Sequence, residues 1–166
     1  MYVAFDQLPD QARVWIYQAS RPLAAEELIA VLPQLAQFAE EWTSHGRHLR
    51  ASAEFLHRQF LVIGLDESLA GASGCSIDSS VHFVRQLEQQ LGAQLLEKSH
   101  LGFLHEGKVW LLDRRELRAA IADGRVQPDT FYFDNTVATK GELAEKWPAP
   151  VEKTWLARYF TGQEKK

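Results

Sequence analysis

An apolar run from Phe60 to Leu65, uninterrupted by any polar side chain, constrains the fold of this chain most strongly. It is far shorter than the roughly 20 residues that span a bilayer. Its length and composition are typical of a central strand that is covered on both faces. Residues 49–55 alternate between apolar and polar side chains, as a half-buried strand does, and His57–Gln59 forms a turn between the two strands. The chain must therefore build other elements over both faces of a sheet.

Three further elements of the first half follow from local patterns. Arg13–Gln18 is rich in branched and aromatic residues and predicts the first strand. Apolar residues at three- and four-residue steps predict a helix over about 24–44, which Pro33 kinks or splits. A second helix is predicted over about 79–91, with Gly92 at its end.

A final strand at Leu95–Leu96 or Leu101–Leu104 completes this half. The order strand, helix, strand, strand, helix, strand is a split βαβ arrangement. We therefore predict an α+β protein with a ferredoxin-like sandwich.

The rest of the chain predicts a second, smaller block. It contains a strand over 109–112, a helix over 114–122 and a strand over 130–133. The capping box Thr139-x-x-Glu142 opens a further helix to Trp147, and a last helix holds Trp155. The predicted organisation is an α+β core domain over 1–107 and a C-terminal α/β subdomain over 108–166, packed as one unit.

Composition excludes several classes of function. At 166 residues and 46% hydrophobic, the chain has enough apolar surface for a core. The net charge of -4 provides no global basic field, so we expect no nucleic-acid partner. The first residues lack the basic and apolar regions of a secretory signal, and one cysteine allows neither an internal disulfide nor a Cys-rich zinc site. We expect a cytoplasmic protein with no membrane partner and no cofactor, of undetermined oligomeric state.

The stretch from Gly71 to Ser80 resembles a binding site more than any other. Small residues follow the apolar run directly, and Asp78, Ser79 and Ser80 are preferred caps for a helix from about Val81. The two glycines can adopt positive φ and let backbone N–H groups converge, and a helix start carries partial positive charge. We predict a site for a small anionic ligand or an acidic group of a partner; the alternative is a well-capped turn. The predicted ligand-binding residues are Gly71, Ser73, Gly74, Cys75, Ser76, Asp78, Ser79 and Ser80.

A second hypothesis makes Cys75 a nucleophile or redox group. A thiol near a helix start has a lowered pKa, and Asp66, Glu67 or His82 would assist it. Asp66 and Glu67, with Asp78, also offer hard oxygen ligands to Mg²⁺. The alternatives are an inert cysteine, strand-end carboxylates that meet solvent, and a solvated histidine. The remaining histidines match no zinc motif, so we expect no metal site; they are His45, His48, His57, His100 and His105.

A third hypothesis is a protein-interaction or assembly factor. Trp147 and Trp155 flank Pro148 and Pro150, which predicts an exposed aromatic pair. The other tryptophans fall in the apolar phase of their elements and are predicted to be core residues; they are Trp15, Trp42 and Trp110.

Four segments resemble a family of small bacterial proteins that are often labelled ABC transporter ATPases. They are Val14–Tyr17, Trp42–Gly46, Ser73–Ser80 and Trp155, and the resemblance covers nearly the whole chain. It implies no established activity. No Gly-x-x-x-x-Gly-Lys-Ser/Thr loop occurs, so the chain lacks the phosphate-binding element of such an ATPase. We therefore favour a non-enzymatic function. In addition, Glu116–Thr130 is similar to part of the small GYF-type modules that bind proline-rich peptides.

Overall fold

A computed structural model describes residues 1–161, whose contacts divide into two units. The first unit comprises Met1–Glu97 and Thr136–Ala144, and the second comprises Lys98–Asn135 and the chain from Glu145 onward. The first unit gives way to the second after residue 97. A β-hairpin follows directly, in which residues 100–105 pair with residues 108–113. The boundary predicted between 107 and 108 falls inside the turn of that hairpin.

The first unit holds an antiparallel sheet and two long helices. In chain order its elements are β1 (Arg13–Gln18), α1 (Ala25–Glu41), β2 (Thr43–Ser44), β3 (Arg47–His48), β4 (Arg50–Leu56), β5 (Phe60–Asp66) and α2 (Gly74–Leu91). The sheet order is β1-β5-β4, and β2 pairs with β3 in a short ribbon. Every residue of β5 is buried, so the prediction of a central strand is confirmed.

The two faces of β5 are covered differently. Leu61, Ile63 and Leu65 join a core cluster that includes residues of α1 and α2. On the opposite face, a Cβ placed at Gly64 would lie 2.6 Å from Leu8 Cδ1, so the N-terminal segment packs directly against the strand. This close approach explains a glycine in the middle of a buried strand.

Two alternatives predicted for the first unit are wrong. Pro33 lies inside α1 and does not split it, while the other alternative, a kink at Pro33, stays a prediction. Pro33 is exposed, so solvent can satisfy the Ile29 carbonyl that lacks a partner N–H. Leu95–Leu96 forms no strand, and Leu101–Leu104 belongs to the sheet of the second unit.

The second unit is built on a four-stranded antiparallel sheet of order β7-β6-β8-β9. Its elements are β6 (His100–His105), β7 (Lys108–Asp113), α3 (Leu117–Ala122), β8 (Phe131–Tyr132), β9 (Ala149–Pro150) and α5 (Arg158–Thr161). The helix α4 (Lys140–Lys146) begins in the first unit and ends in the second. Phe103, Leu112, Leu117 and Leu156 belong to a separate core cluster.

The described chain is therefore a mixed α+β protein with several antiparallel sheets, as predicted. No helix within residues 1–161 is both long enough and apolar enough to cross a bilayer.

Candidate functional site

The predicted corner at Gly71–Ser80 comprises the loop before α2 and the first two turns of that helix, which begins earlier than expected. Ser73 is the N-cap: its Oγ accepts from the Ser76 N–H at 3.2 Å, while the Ser76 Oγ accepts from the Ser73 N–H at 2.7 Å. Asp78, Ser79 and Ser80 lie inside the helix, so their prediction as caps is wrong. Where several cap-forming residues follow one another, the packing of the turn determines which of them becomes the N-cap.

The N–H groups of this corner are mostly taken by acceptors of the corner itself. Ala72 donates to the Glu67 carboxylate at 3.0 Å, and Ile77 donates to the Ser73 carbonyl at 3.0 Å. Neither Gly71 nor Gly74 has positive φ. Among the described residues of this corner, the N–H groups of Gly71, Gly74 and Cys75 have no acceptor. The Glu67 carboxylate thus already places a negative charge where an anionic ligand was predicted.

The structure does not assemble a catalytic group around Cys75. Its thiol is exposed and makes no hydrogen bond in the described part of the chain. Asp66 is buried, accepts from the Ser68 N–H at 3.0 Å and lies 3.9 Å from Arg50. Hydrogen bonds from Ser68 hold the pKa of Asp66 below its usual value, with a smaller effect from Arg50. Asp66 therefore stabilises the end of its strand.

His82 is exposed on α2, and its ring contacts the Gln86 side chain at 3.4 Å. Among the described residues, no three His, Cys, Asp or Glu side chains group as metal ligands would.

The predicted exposed pair of tryptophans is wrong for Trp147 and is not confirmed for Trp155. Trp147 is buried: its ring packs 4.9 Å from that of Phe133, and its indole N–H donates to Asn135 Oδ1 at 2.9 Å. Trp155 is half-buried. Of the predicted core tryptophans, Trp42 is buried and donates to the Ser76 carbonyl at 2.8 Å, while Trp15 and Trp110 are half-buried.

The second unit contains a cleft that the sequence analysis missed, which we name the hairpin cleft. It lies beside the β6–β7 hairpin and has a volume of about 890 Å³. It is lined by Leu104, His105, Glu106, Lys108, Val109, Trp110, Gly124, Arg125, Gln127, Asp129, Thr130 and Phe131. The volume lies within the range of about 300–1,000 Å³ that ligand sites occupy.

Both walls of the hairpin cleft are braced by local bonds. Glu106 and Gly107 form a two-residue turn with φ of 49° and 77°, which matches the twist of a hairpin. In the facing loop, Arg125 donates from its N–H and its Nε to Asp123 at 3.0 and 2.9 Å. The Gln127 N–H donates to Thr130 Oγ1 at 2.8 Å. Local hydrogen bonds and turn geometry therefore hold both walls of the cleft.

Aromatic side chains supply the apolar part of the hairpin cleft. Trp110 is half-buried, and its ring lies 5.3 Å from that of Phe103 in the core. Phe131 is 46% exposed and lines the same cleft as Trp110. The pair Glu106-Gly107 between two apolar runs was the sequence signal that could have revealed this feature.

No family model matches this chain, and neither the curated proteins nor the solved structures include a match to it. The resemblances drawn from the sequence therefore stay predictions, and the function has to be argued from the geometry.

Proposed function

We propose that this chain is a non-catalytic protein-interaction factor whose hairpin cleft binds an extended, proline-containing peptide of a partner. The observation that carries the proposal is that two half-exposed aromatic side chains, Trp110 and Phe131, line the same braced cleft. The predicted C-terminal interaction surface is thereby moved away from Trp147, which is buried.

The chemistry of the lining favours a peptide. Proline rings pack well on aromatic faces, and a polyproline helix keeps its carbonyl groups free because it forms no internal hydrogen bonds. Lys108, Arg125 and Gln127 bring hydrogen-bond donors to the same cleft. An extended proline-rich segment offers both surfaces at a low entropic cost of binding.

The weaker similarity to GYF-type modules, which stays a prediction, agrees with the same site. The similar segment, Glu116–Thr130, contains the loop that forms one wall of the hairpin cleft. The aromatic residues of this cleft are this chain's own, since the peptide-binding signature of those modules does not occur in it.

The test is a titration of the ¹⁵N-labelled full chain with a ten-residue polyproline peptide, followed by amide chemical shifts. We expect the largest changes at 108–110 and 124–131. Phe131→Ser should weaken binding by about fivefold or more, because it removes an aromatic anchor at the rim. Ile29→Ser is the matched control, since Ile29 is 67% exposed on α1 in the other unit. Equal loss in both variants, or no shift at millimolar peptide, would contradict the proposal.

The anionic-ligand hypothesis for Gly71–Ser80 is the second candidate. It rests on the N–H groups of Gly74 and Cys75, and Glu67 opposes it. A titration in which inorganic phosphate shifts the signals of these two amides, while polyproline shifts none, would reverse the order of the two proposals.

For the first unit we also propose the ferredoxin-like split βαβ arrangement, supported by β5 lying between β1 and β4.

A further inference from the structure

We propose that a second surface of the C-terminal unit binds an acidic segment of a partner protein. This surface, the arginine–aromatic patch, consists of Arg114, Arg118, Trp155, Arg158 and Tyr159. None of these residues lines the hairpin cleft, so the inference goes beyond the proposed peptide site.

Three guanidinium groups converge on two aromatic rings. Arg114 and Arg158 lie 5.4 and 5.5 Å from the centre of the Trp155 ring. Arg158 also lies 5.3 Å from the Tyr159 ring, and Arg118 lies 6.0 Å from it. A guanidinium over a ring face is held in place while its N–H edge stays available to an acceptor.

The described residues supply no carboxylate partner to these three arginines. By contrast, the neighbouring Arg115 forms a two-bond pair with Asp113, at 3.1 and 2.8 Å. Clustered cations without counter-charges repel one another. All three arginines are exposed, so the patch presents a concentrated positive charge to solvent.

The aromatic platform under the arginines is rigid. Trp155 packs edge-on against Tyr132, with ring centres 6.3 Å apart. The next residue, Leu156, is fully buried, and Thr154 Oγ1 accepts from its N–H at 3.2 Å. A rigid platform loses little entropy when a partner binds.

The distribution of charge indicates an acidic protein segment. Within the described residues, the second unit carries nine Lys and Arg against eight Asp and Glu, a net charge of +1, while the first carries seven against thirteen, a net charge of -6. A short segment with several carboxylates can engage three arginines by charge-assisted hydrogen bonds. A nucleic acid would need many more phosphate contacts than this patch offers, and the acidic net charge of the chain would repel it.

The test measures binding of the full chain to a fluorescein-labelled peptide of alternating glutamate and glycine, by fluorescence polarisation at 50 mM NaCl. Arg118→Ala and Arg158→Ala should each weaken binding by about three- to tenfold. Arg115→Ala is the matched control: it removes the same charge from an adjacent position outside the patch, and should change the affinity less than about twofold. Binding should also weaken at 300 mM NaCl, because salt screens exposed charges.

Three results would overturn the inference. They are an equal loss in Arg115→Ala, equal binding of a peptide with lysine in place of glutamate, and tighter binding of a ten-nucleotide single strand through the same arginines. The melting temperature of each variant controls for folding. Since the polyproline titration uses other residues, it should be unaffected by Arg118→Ala, and the two proposals can fail separately.

Discussion

Replacing Ser73 by alanine tests where α2 begins and what holds that turn together. Ser73 and Ser76 cap each other reciprocally, and the Ser76 Oγ also donates to the Ser73 carbonyl at 2.8 Å. Ser73→Ala removes the acceptor that the described residues provide for the Ser76 N–H. Ser76 is 2% exposed, so water has little access to replace that acceptor. The variant leaves the other two bonds of the turn in place.

The expected cost follows from the chemistry of the cap. Loss of an N-cap serine destabilises a protein by about 1 kcal/mol, within a range of roughly 0.5–2. For a chain of this length that corresponds to a fall in melting temperature of about 2–4 °C. Ser76→Ala should cost at least as much, because it removes the acceptor of the Ser73 N–H and a donor together.

Thermal unfolding followed by circular dichroism at 222 nm measures both variants against Asp78→Ala. Asp78 is exposed inside the helix, so its replacement should change stability by less than about 0.5 kcal/mol. If Asp78 were the cap, as its sequence context predicts, the order of the two variants would be reversed. A larger cost for Asp78→Ala than for Ser73→Ala would refute the assignment of the helix start.

Two further variants test the packing and the electrostatics of the first unit. Gly64→Ala should destabilise the protein by about 1–3 kcal/mol in urea unfolding, because the new methyl group would lie 2.6 Å from Leu8 Cδ1. Gly74→Ala is the control and should be neutral or stabilising, because a methyl group there would have no atom within 4 Å. Equal effects of the two substitutions would contradict the packing argument. Burial, and to a lesser extent the Asp6 charge, raises the pKa of Glu54, so its stabilising protonated form is present at low pH and lost as the pH rises through the raised pKa. Glu54→Gln should therefore gain melting temperature over the unmodified chain at pH 8 and not at pH 4, and a constant difference would show that this carboxyl does not titrate as described.

Local patterns were enough to predict most elements of the fold. Branched and aromatic residues predicted β1 with its exact bounds, and the continuous apolar run predicted the central position of β5. Turn residues also predicted the turn at His57–Gln59, where His57 and Arg58 have φ of 53° and 57°. The glycine at the end of the periodic segment predicted the left-handed Gly92 that ends α2. These features depend on neighbours within a few residues, so the sequence carries them directly.

The two candidate binding surfaces could not be predicted in this way, because each of them joins segments that are far apart in the sequence. The hairpin cleft joins a hairpin turn to a loop about twenty residues later, and the arginine–aromatic patch joins α3 to α5 across some forty residues of chain. The i, i+4 spacing of Arg114 and Arg118 was visible in the sequence, but nothing in it located Arg158 beside them.

The sequence by itself thus determined the α+β class, the identity of most strands and helices, and the apolar surface available for two cores. The tertiary structure alone decided that Leu101–Leu104 pairs in the second sheet, that Trp147 is buried while Phe131 is exposed, and which of several serines caps α2. Secondary-structure preferences arise from contacts between near neighbours. Strand partners, burial and convergent charges depend on which distant segments meet, and that is settled only when the whole chain packs.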